Sequence, residues 1–89
     1  MKIKSIHYSS IFARQFKILP LAIKKKTLKQ ERFFRHNPFH PSLRLHKLRG
    51  KLEGAWSISV DKNYRIIFKI KEDGNILFNN IGLHAIYED

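Results

Sequence analysis

The residues of this chain that could do chemistry are imidazole, guanidinium, amine and phenol groups rather than paired carboxylates or thiolates. Its 89 residues hold 18 Lys and Arg, five His and three Tyr against seven acids, with no Cys. The acids offer no helix-spaced pair suited to a metal, and there is no glycine-rich phosphate loop and no HExxH pair. His7, His36, His40, His46 and His84 show no compact ligand spacing, so no metal and no other cofactor is expected. A metal-free reaction at a phosphate needs less. One group takes a proton, a cation holds the phosphoryl charge, and another group protonates the leaving oxygen. His, Arg, Lys and Tyr can fill those roles.

Arg65 is the cation with the most defined setting. In Tyr64–Ile70, the residues Tyr64, Ile66, Phe68 and Ile70 share one face of a strand, and Arg65, Ile67 and Lys69 share the other. Ala55–Val60 reads as the strand before it, with Trp56, Ile58 and Val60 alternating with Ala55, Ser57 and Ser59. Asp61-Lys62-Asn63 supplies turn chemistry, so the two form an antiparallel hairpin. With Trp56 and Tyr64 on the core face, Arg65 stands beside Ser57 and Ser59 on an open sheet face. A cation among small residues there is a candidate anion seat.

The elements that must position this hairpin read in order. Lys2–Tyr8 is a short strand. Ser9-Ser10 can cap a helix over Ile11–Leu19, where Phe12, Phe16 and Leu19 recur at helical spacing. Pro20 interrupts it and opens a second helix to about Arg35. That helix carries Lys24, Lys25, Lys26, Lys29 and Arg32, and its buried face is not defined by pattern. Such a run is a solvated face or a grip on RNA phosphates, and the two are compatible. His36-Asn37-Pro38 ends the helix. Leu43, Leu45 and Leu48 pin the next segment, with Arg44, His46, Lys47, Arg49 and Lys51 projecting outward. Glu72-Asp73-Gly74 makes a second hairpin turn into a third strand, Asn75–Ile81, after which Gly82 releases the chain into a tail with His84 and Tyr87. The expected class is α+β: an N-terminal strand, two helices, then a three-stranded antiparallel meander, all in one domain spanning 1–89.

Charge is unevenly placed. Residues 1–51 hold 14 of the 18 Lys and Arg against one acid, a net +13; residues 52–89 hold four against six acids, a net −2. Such a surplus draws polyanions. The N-terminus lacks the apolar run of a signal peptide, no stretch approaches a membrane span, and cysteine is absent. A cytoplasmic protein with no membrane partner is expected.

Four stretches carry a family resemblance: His46-Lys47-Leu48-Arg49-Gly50, Gly54-Ala55-Trp56-Ser57, Tyr64-Arg65-Ile66-Ile67-Phe68, and Ile81-Gly82-Leu83-His84 followed by Tyr87. In order and spacing the chain resembles the RelE/ParE-like toxins of type II toxin–antitoxin systems. It is most similar to the RelE, YoeB and YafQ-like mRNA interferases. The resemblance covers most of the chain and implies the same α+β fold. It further implies a ribosome-dependent endoribonuclease that cuts mRNA in the A site and is held inactive by a small acidic antitoxin in a hetero-oligomer.

Carried over by position, it makes His46, Arg65, His84 and Tyr87 the catalytic candidates. Lys47, Arg49 and Lys51 become substrate-holding charges, with the basic helix as a further RNA contact. Each catalytic candidate also has an ordinary role open to it. His46 could be a surface loop residue, Arg65 could pair with Asp61 or Glu53, His84 could cap a strand end, and Tyr87 could close the core. The set departs from some histidine-rich relatives, which place a further His and an Asp where this chain has Ser59 and Asn63. The His84-to-Tyr87 spacing is also tighter than in some of them. Two other readings share the fold: a non-catalytic ParE-like gyrase inhibitor, and an inactive RNA- or protein-binding relative.

Overall fold

The computed structural model describes residues 1–87, the side chains of Ile86 and Tyr87 apart. Two helices lie on one face of a five-stranded sheet of order β1-β5-β4-β3-β2. At its centre is the expected hairpin. β3 (Trp56–Ser59) runs antiparallel to β4 (Tyr64–Ile70), with Trp56 opposite Phe68 and Ile58 opposite Ile66. Apolar residues therefore meet apolar residues across the ladder, on the face that the helices cover. Asp61 shapes the turn: its Oδ1 accepts the N–H groups of Asn63 at 2.8 Å and Tyr64 at 2.9 Å.

β5 (Asn75–Leu83) continues the meander antiparallel to β4. The chain does not leave the sheet at Gly82, because Gly82 pairs with Arg65 and Leu83 with Tyr64. Two further strands widen the meander. β1 (Ser5–Tyr8) is shorter than the expected Lys2–Tyr8 and lies parallel to β5. β2 (His46–Lys47), read from sequence as part of a connecting segment, pairs antiparallel with β3 at the other edge. The turn into β5 requires glycine. Gly74 has φ +79°, and a Cβ there would lie 2.6 Å from the carbonyl oxygen of Lys2.

β5 contains a bulge. Ile67 faces Asn80 and Phe68 faces Phe78, which leaves Asn79 as the extra residue. The first helix braces it twice. The Ser9 hydroxyl donates to the Asn79 carbonyl at 2.7 Å, and Gln15 Oε1 accepts the Ile81 N–H at 2.9 Å.

That helix, α1 (Ser10–Lys17), starts where Ser9 Oγ accepts the Phe12 N–H at 2.9 Å. α2 spans Leu21–His36. Its buried positions are Thr27, Gln30 and Phe34, a helical stripe with two polar members. Thr27 satisfies itself on the Ile23 carbonyl at 2.8 Å. Gln30 Nε2 donates to the Ser59 carbonyl at 2.9 Å and to the Ser42 carbonyl at 3.3 Å, tying α2 to β3. Gln30→Leu keeps the volume and orphans the Ser59 carbonyl. It should cost about 1–3 kcal/mol, read as a lower urea midpoint at unchanged m-value.

Between the layers sits an aromatic core. Phe34, Phe68 and Phe78 are fully buried among Phe12, Ile58, Ile66, Ile76 and Ile81, and Trp56 and Tyr64 pack against its margin. The Phe34 and Phe68 rings meet edge to face at 5.0 Å. Each such side chain contributes about 1.5–3 kcal/mol on burial. The sheet's other face is not open as expected. Leu48, Ala55 and Ile67 form a second apolar cluster there with Leu52, and Ser57, Ser59 and Arg65 are buried.

Candidate active site

Arg65 is the centre of that second face. It pairs with Ser59 on one side and Gly82 on the other. Only 8% of the residue is exposed, and its Nε and Nη1 are buried without a hydrogen-bond partner. Burial pushes the guanidinium's pKa down, and the neighbouring Arg44 charge pushes it the same way. Arginine nevertheless stays protonated in proteins, so this is a desolvated cation beside a second cation. Among the described residues no carboxylate pairs with it. Asp61, one of the two partners open to it from sequence, bonds Lys26 at 3.4 Å instead.

Asp61 has a pH dependence of its own. Burial pushes its carboxyl up, but the Asn63 and Tyr64 N–H bonds and the Lys26 charge outweigh this and hold it below the usual carboxylate range. A folded-state value below the unfolded one gives stability that is present above the unfolded value and lost as pH falls through the folded one. Asp61→Asn keeps the acceptor oxygen and removes the titration. The wild type should exceed this variant in urea midpoint at neutral pH, and the gap should close below about pH 4. Parallel pH profiles would refute the linkage.

His46 lies opposite Ser57 on β3, and Ser57 lies opposite Ile67 on β4, so His46 is on the Arg65 side of the sheet. Its Nδ1 is 3.0 Å from the Arg44 carbonyl oxygen. A carbonyl only accepts, so Nδ1 carries the proton, and in the neutral ring Nε2 is left as the free acceptor. Arg44 holds that carbonyl in place from a left-handed conformation at φ +48°. His84 opens a 3₁₀ turn (His84–Tyr87) directly after β5, and its backbone N–H donates to the Asn63 carbonyl at 2.6 Å.

The ladder sets the spacing. Two strands and two residues separate His46 from Arg65, about 12 Å between Cα atoms; one strand and two residues separate Arg65 from His84, about 8 Å. The two histidines therefore flank Arg65 and do not touch each other. The Tyr87 side chain, the fourth candidate, lies outside the described residues.

The basic candidates divide between the two faces. Lys47 pairs with Trp56 and sets its ammonium 5.3 Å from the indole ring centroid, on the helix side. Arg49 precedes, and Lys51 lies in, the 3₁₀ turn Gly50–Leu52. His46, Arg49 and Glu53 line a common cleft at this edge. Lys24, Lys25, Lys26, Lys29 and Arg32 all belong to α2, across the sheet from Arg65. Of these, Lys24 lies 5.9 Å from the Phe16 ring centroid and Lys26 is engaged by Asp61. Arg44 reads from sequence only as an outward-projecting residue, not as part of the site. Its place two residues before His46 was visible there, but its nearness to Arg65 depends on tertiary packing.

The match to a family model, described as the RelE-like toxin of type II toxin–antitoxin system HigB, runs over residues 1–84. The chain belongs to this family of RelE-like toxins. Solved structures show the same fold. The YoeB/ParE toxin from Agrobacterium tumefaciens superposes with a TM-score of 0.76 at 14% identity, over 91% of this chain and 99% of that one. A chain of the E. coli DinJ–YafQ toxin–antitoxin complex gives 0.69 at 22% identity, over 97% of each. A chain of the RelBE2 toxin–antitoxin complex from Mycobacterium tuberculosis gives 0.65 at 19%, over 96% and 95%. No curated protein matches in sequence. Among the described residues no helix is long and apolar enough to cross a membrane.

Proposed function

We propose that this toxin is a metal-independent endoribonuclease that cleaves mRNA in the ribosomal A site. The observation that carries this reading is Arg65: a buried guanidinium with two unpartnered nitrogens, beside Arg44 and between two histidines. A desolvated cation with idle donors is costly unless an anion arrives to use them, and a phosphate matches its fork of N–H groups. In the proposed step His46 Nε2 takes the proton of a ribose 2′-OH. The 2′ oxygen attacks phosphorus, the bond from phosphorus to the 5′ oxygen breaks, and that oxygen receives a proton from His84 or Tyr87. The products are a 2′,3′-cyclic phosphate, which can open to a 3′ phosphate, and a 5′ hydroxyl. In-line displacement wants base and acid on opposite sides of phosphorus, which favours histidines flanking Arg65 over histidines side by side. Lys47, Arg49 and Lys51 would hold the substrate backbone. The α2 lysines and Arg32, on the far side, would meet ribosomal RNA.

The partner in this reading is a small acidic antitoxin, in keeping with the toxin–antitoxin complexes formed by the DinJ–YafQ and RelBE2 relatives. A groove of about 290 Å³ between α1 and α2, lined by Phe12, Phe16, Leu28 and Phe78 with Glu31 as its one charged member, offers it an apolar seat. Opposite charge would speed association. The test is regulated expression with mapping of RNA 5′ ends. Cuts confined to translated mRNA, bearing 5′ hydroxyls and suppressed by a co-expressed acidic antitoxin, are the expected result. DNA breakage without such cuts would favour a gyrase poison on the same fold.

A further inference from the structure

Arg44 occupies a position that suits it badly. It closes the 3₁₀ turn Pro41–Leu43 in the left-handed conformation, at φ +48° and ψ +47°. Helix ends of this kind favour glycine or asparagine, because a Cβ there crowds the carbonyl oxygen. Asp73, the other such non-glycine residue among those described, has a short polar side chain that tolerates the region. Arg44 also places its charge near the Arg65 guanidinium, where like charges repel. Neither feature serves the core, since Arg44 is exposed. The turn is nevertheless held from several sides. Leu43 is fully buried, and the Arg44 N–H donates to the Pro41 carbonyl at 3.3 Å. The Ser42 carbonyl accepts from Gln30 of α2, also at 3.3 Å, and His40 Nδ1 accepts the Ser42 N–H at 3.2 Å. A sparsely populated conformation that its surroundings over-determine is a pointer to function.

We infer that Arg44 is the positioning residue for His46 and acts through its main chain: the left-handed turn aims its carbonyl at Nδ1 and so keeps Nε2 unprotonated, ready to act as the base. The inference rests on the ribonuclease reading for the use made of Nε2, though not for the tautomer itself. His46 needs such a device. It lies exposed on a two-residue edge strand, so packing does not set its ring. The hydrogen bond at one ring nitrogen decides which tautomer is present, and the Nδ1 contact at 3.0 Å supplies it. An unrestrained histidine favours the opposite tautomer, with its proton on Nε2, and that nitrogen then cannot take one from a 2′-OH. Returning residue 44 to ordinary helical or extended geometry would rotate its peptide plane and take the carbonyl off the ring. The guanidinium explains the residue type instead. Glycine would hold the turn more easily but would add no cation beside Arg65. One residue thereby ties the base to the anion seat, although His46 and Arg65 stand two strands apart.

Two substitutions in the full chain separate main chain from charge. Arg44→Gly removes the guanidinium and keeps the left-handed turn. Arg44→Pro forbids that turn, because proline fixes φ at about −65°. The tautomer is read by long-range proton–nitrogen NMR of the isotope-labelled free toxin, at a pH where the ring is neutral, with folding checked by thermal melting. Wild type and Arg44→Gly should both carry the proton on Nδ1, and Arg44→Pro should move most of it to Nε2. Single-turnover cleavage on programmed ribosomes gives the second readout. At saturation Arg44→Gly should cut within about tenfold of the wild-type rate while needing more toxin to saturate, and Arg44→Pro should lose about 10²-fold or more. A wild-type ring protonated on Nε2, or a proton that leaves Nδ1 in Arg44→Gly, would overturn the inference and leave the ribonuclease reading in place. So would a folded Arg44→Pro that keeps the wild-type tautomer, or one that loses it and still cuts at the wild-type rate. Tautomers that follow the turn in a toxin that cuts no RNA would keep the positioning role and overturn the ribonuclease reading. If Arg44→Pro does not fold, the wild type and Arg44→Gly still decide between these outcomes.

Discussion

Arg65→Met should lose ribosome-dependent cleavage by about 10²-fold or more and, in the same protein, raise the unfolding free energy. The two effects have one cause. The guanidinium is buried with idle donors and a cationic neighbour, so the free protein bears a desolvation cost that a bound phosphate would relieve. Methionine fills similar space, carries no charge and suits a face already holding Leu48, Ala55 and Ile67. The gain should be about 1 kcal/mol or more, visible as a higher denaturant midpoint. Arg65→Lys should recover little activity, because an ammonium cannot present a fork of donors to two phosphate oxygens. A variant that loses activity because it unfolds would show the opposite stability change. Arg65→Met cutting at the wild-type rate would remove Arg65 from the mechanism.

The second large effect belongs to His46. His46→Ala should slow single-turnover cleavage by about 10²- to 10⁴-fold while ribosome binding persists, as expected for loss of a general base. Its neighbour makes the control. Lys47 lies on the other side of β2, over the Trp56 ring, so Lys47→Ala should weaken holding and slow the bond-breaking step less than tenfold. His46→Gln should not rescue, because a carboxamide does not take up the 2′-OH proton. If both His46→Ala and His84→Ala cut at the wild-type rate, proton transfer passes to a lysine, and Lys51 is the first to change.

The sequence disclosed those parts of the fold whose causes are local. Alternation in β3 and β4, with Asp61 between them, was enough to place the hairpin and to put Arg65 opposite the Trp56 and Tyr64 face. The buried face of β5 does not read from local pattern, and the reason is specific. Ile76 and Phe78 keep period two, but the inserted Asn79 moves the next core residue to Ile81, so neither face reads cleanly. α2 hid its buried stripe for a different reason. Two of its inward residues, Thr27 and Gln30, are polar and are satisfied by backbone carbonyls, which a hydrophobic pattern does not register. The parallel β1–β5 pair joins residues some seventy positions apart, and no local rule encodes it. At the candidate site, strand alternation put Arg65 on its face, while His46 and His84 came only from the family resemblance. The Arg44 contact, the His46 tautomer and the second apolar cluster follow only from the folded chain.

That parallel pair governs when the molecule can assemble. β5 is the one strand between β1 and β4, so the first strand made has no place in the sheet until nearly the last residues are available. Pairing over so long a loop is entropically slow and places closure late in folding. On a translating ribosome a partly emerged chain would have α1 and α2 with neither β5 nor the bulge that α1 braces. Arg65 would lack its Gly82 neighbour, and Asn79 and Asn80 would not yet exist. Whatever the finished toxin acts on, it would thus be inert throughout its own synthesis, its competence set by chain topology before any inhibitor is bound.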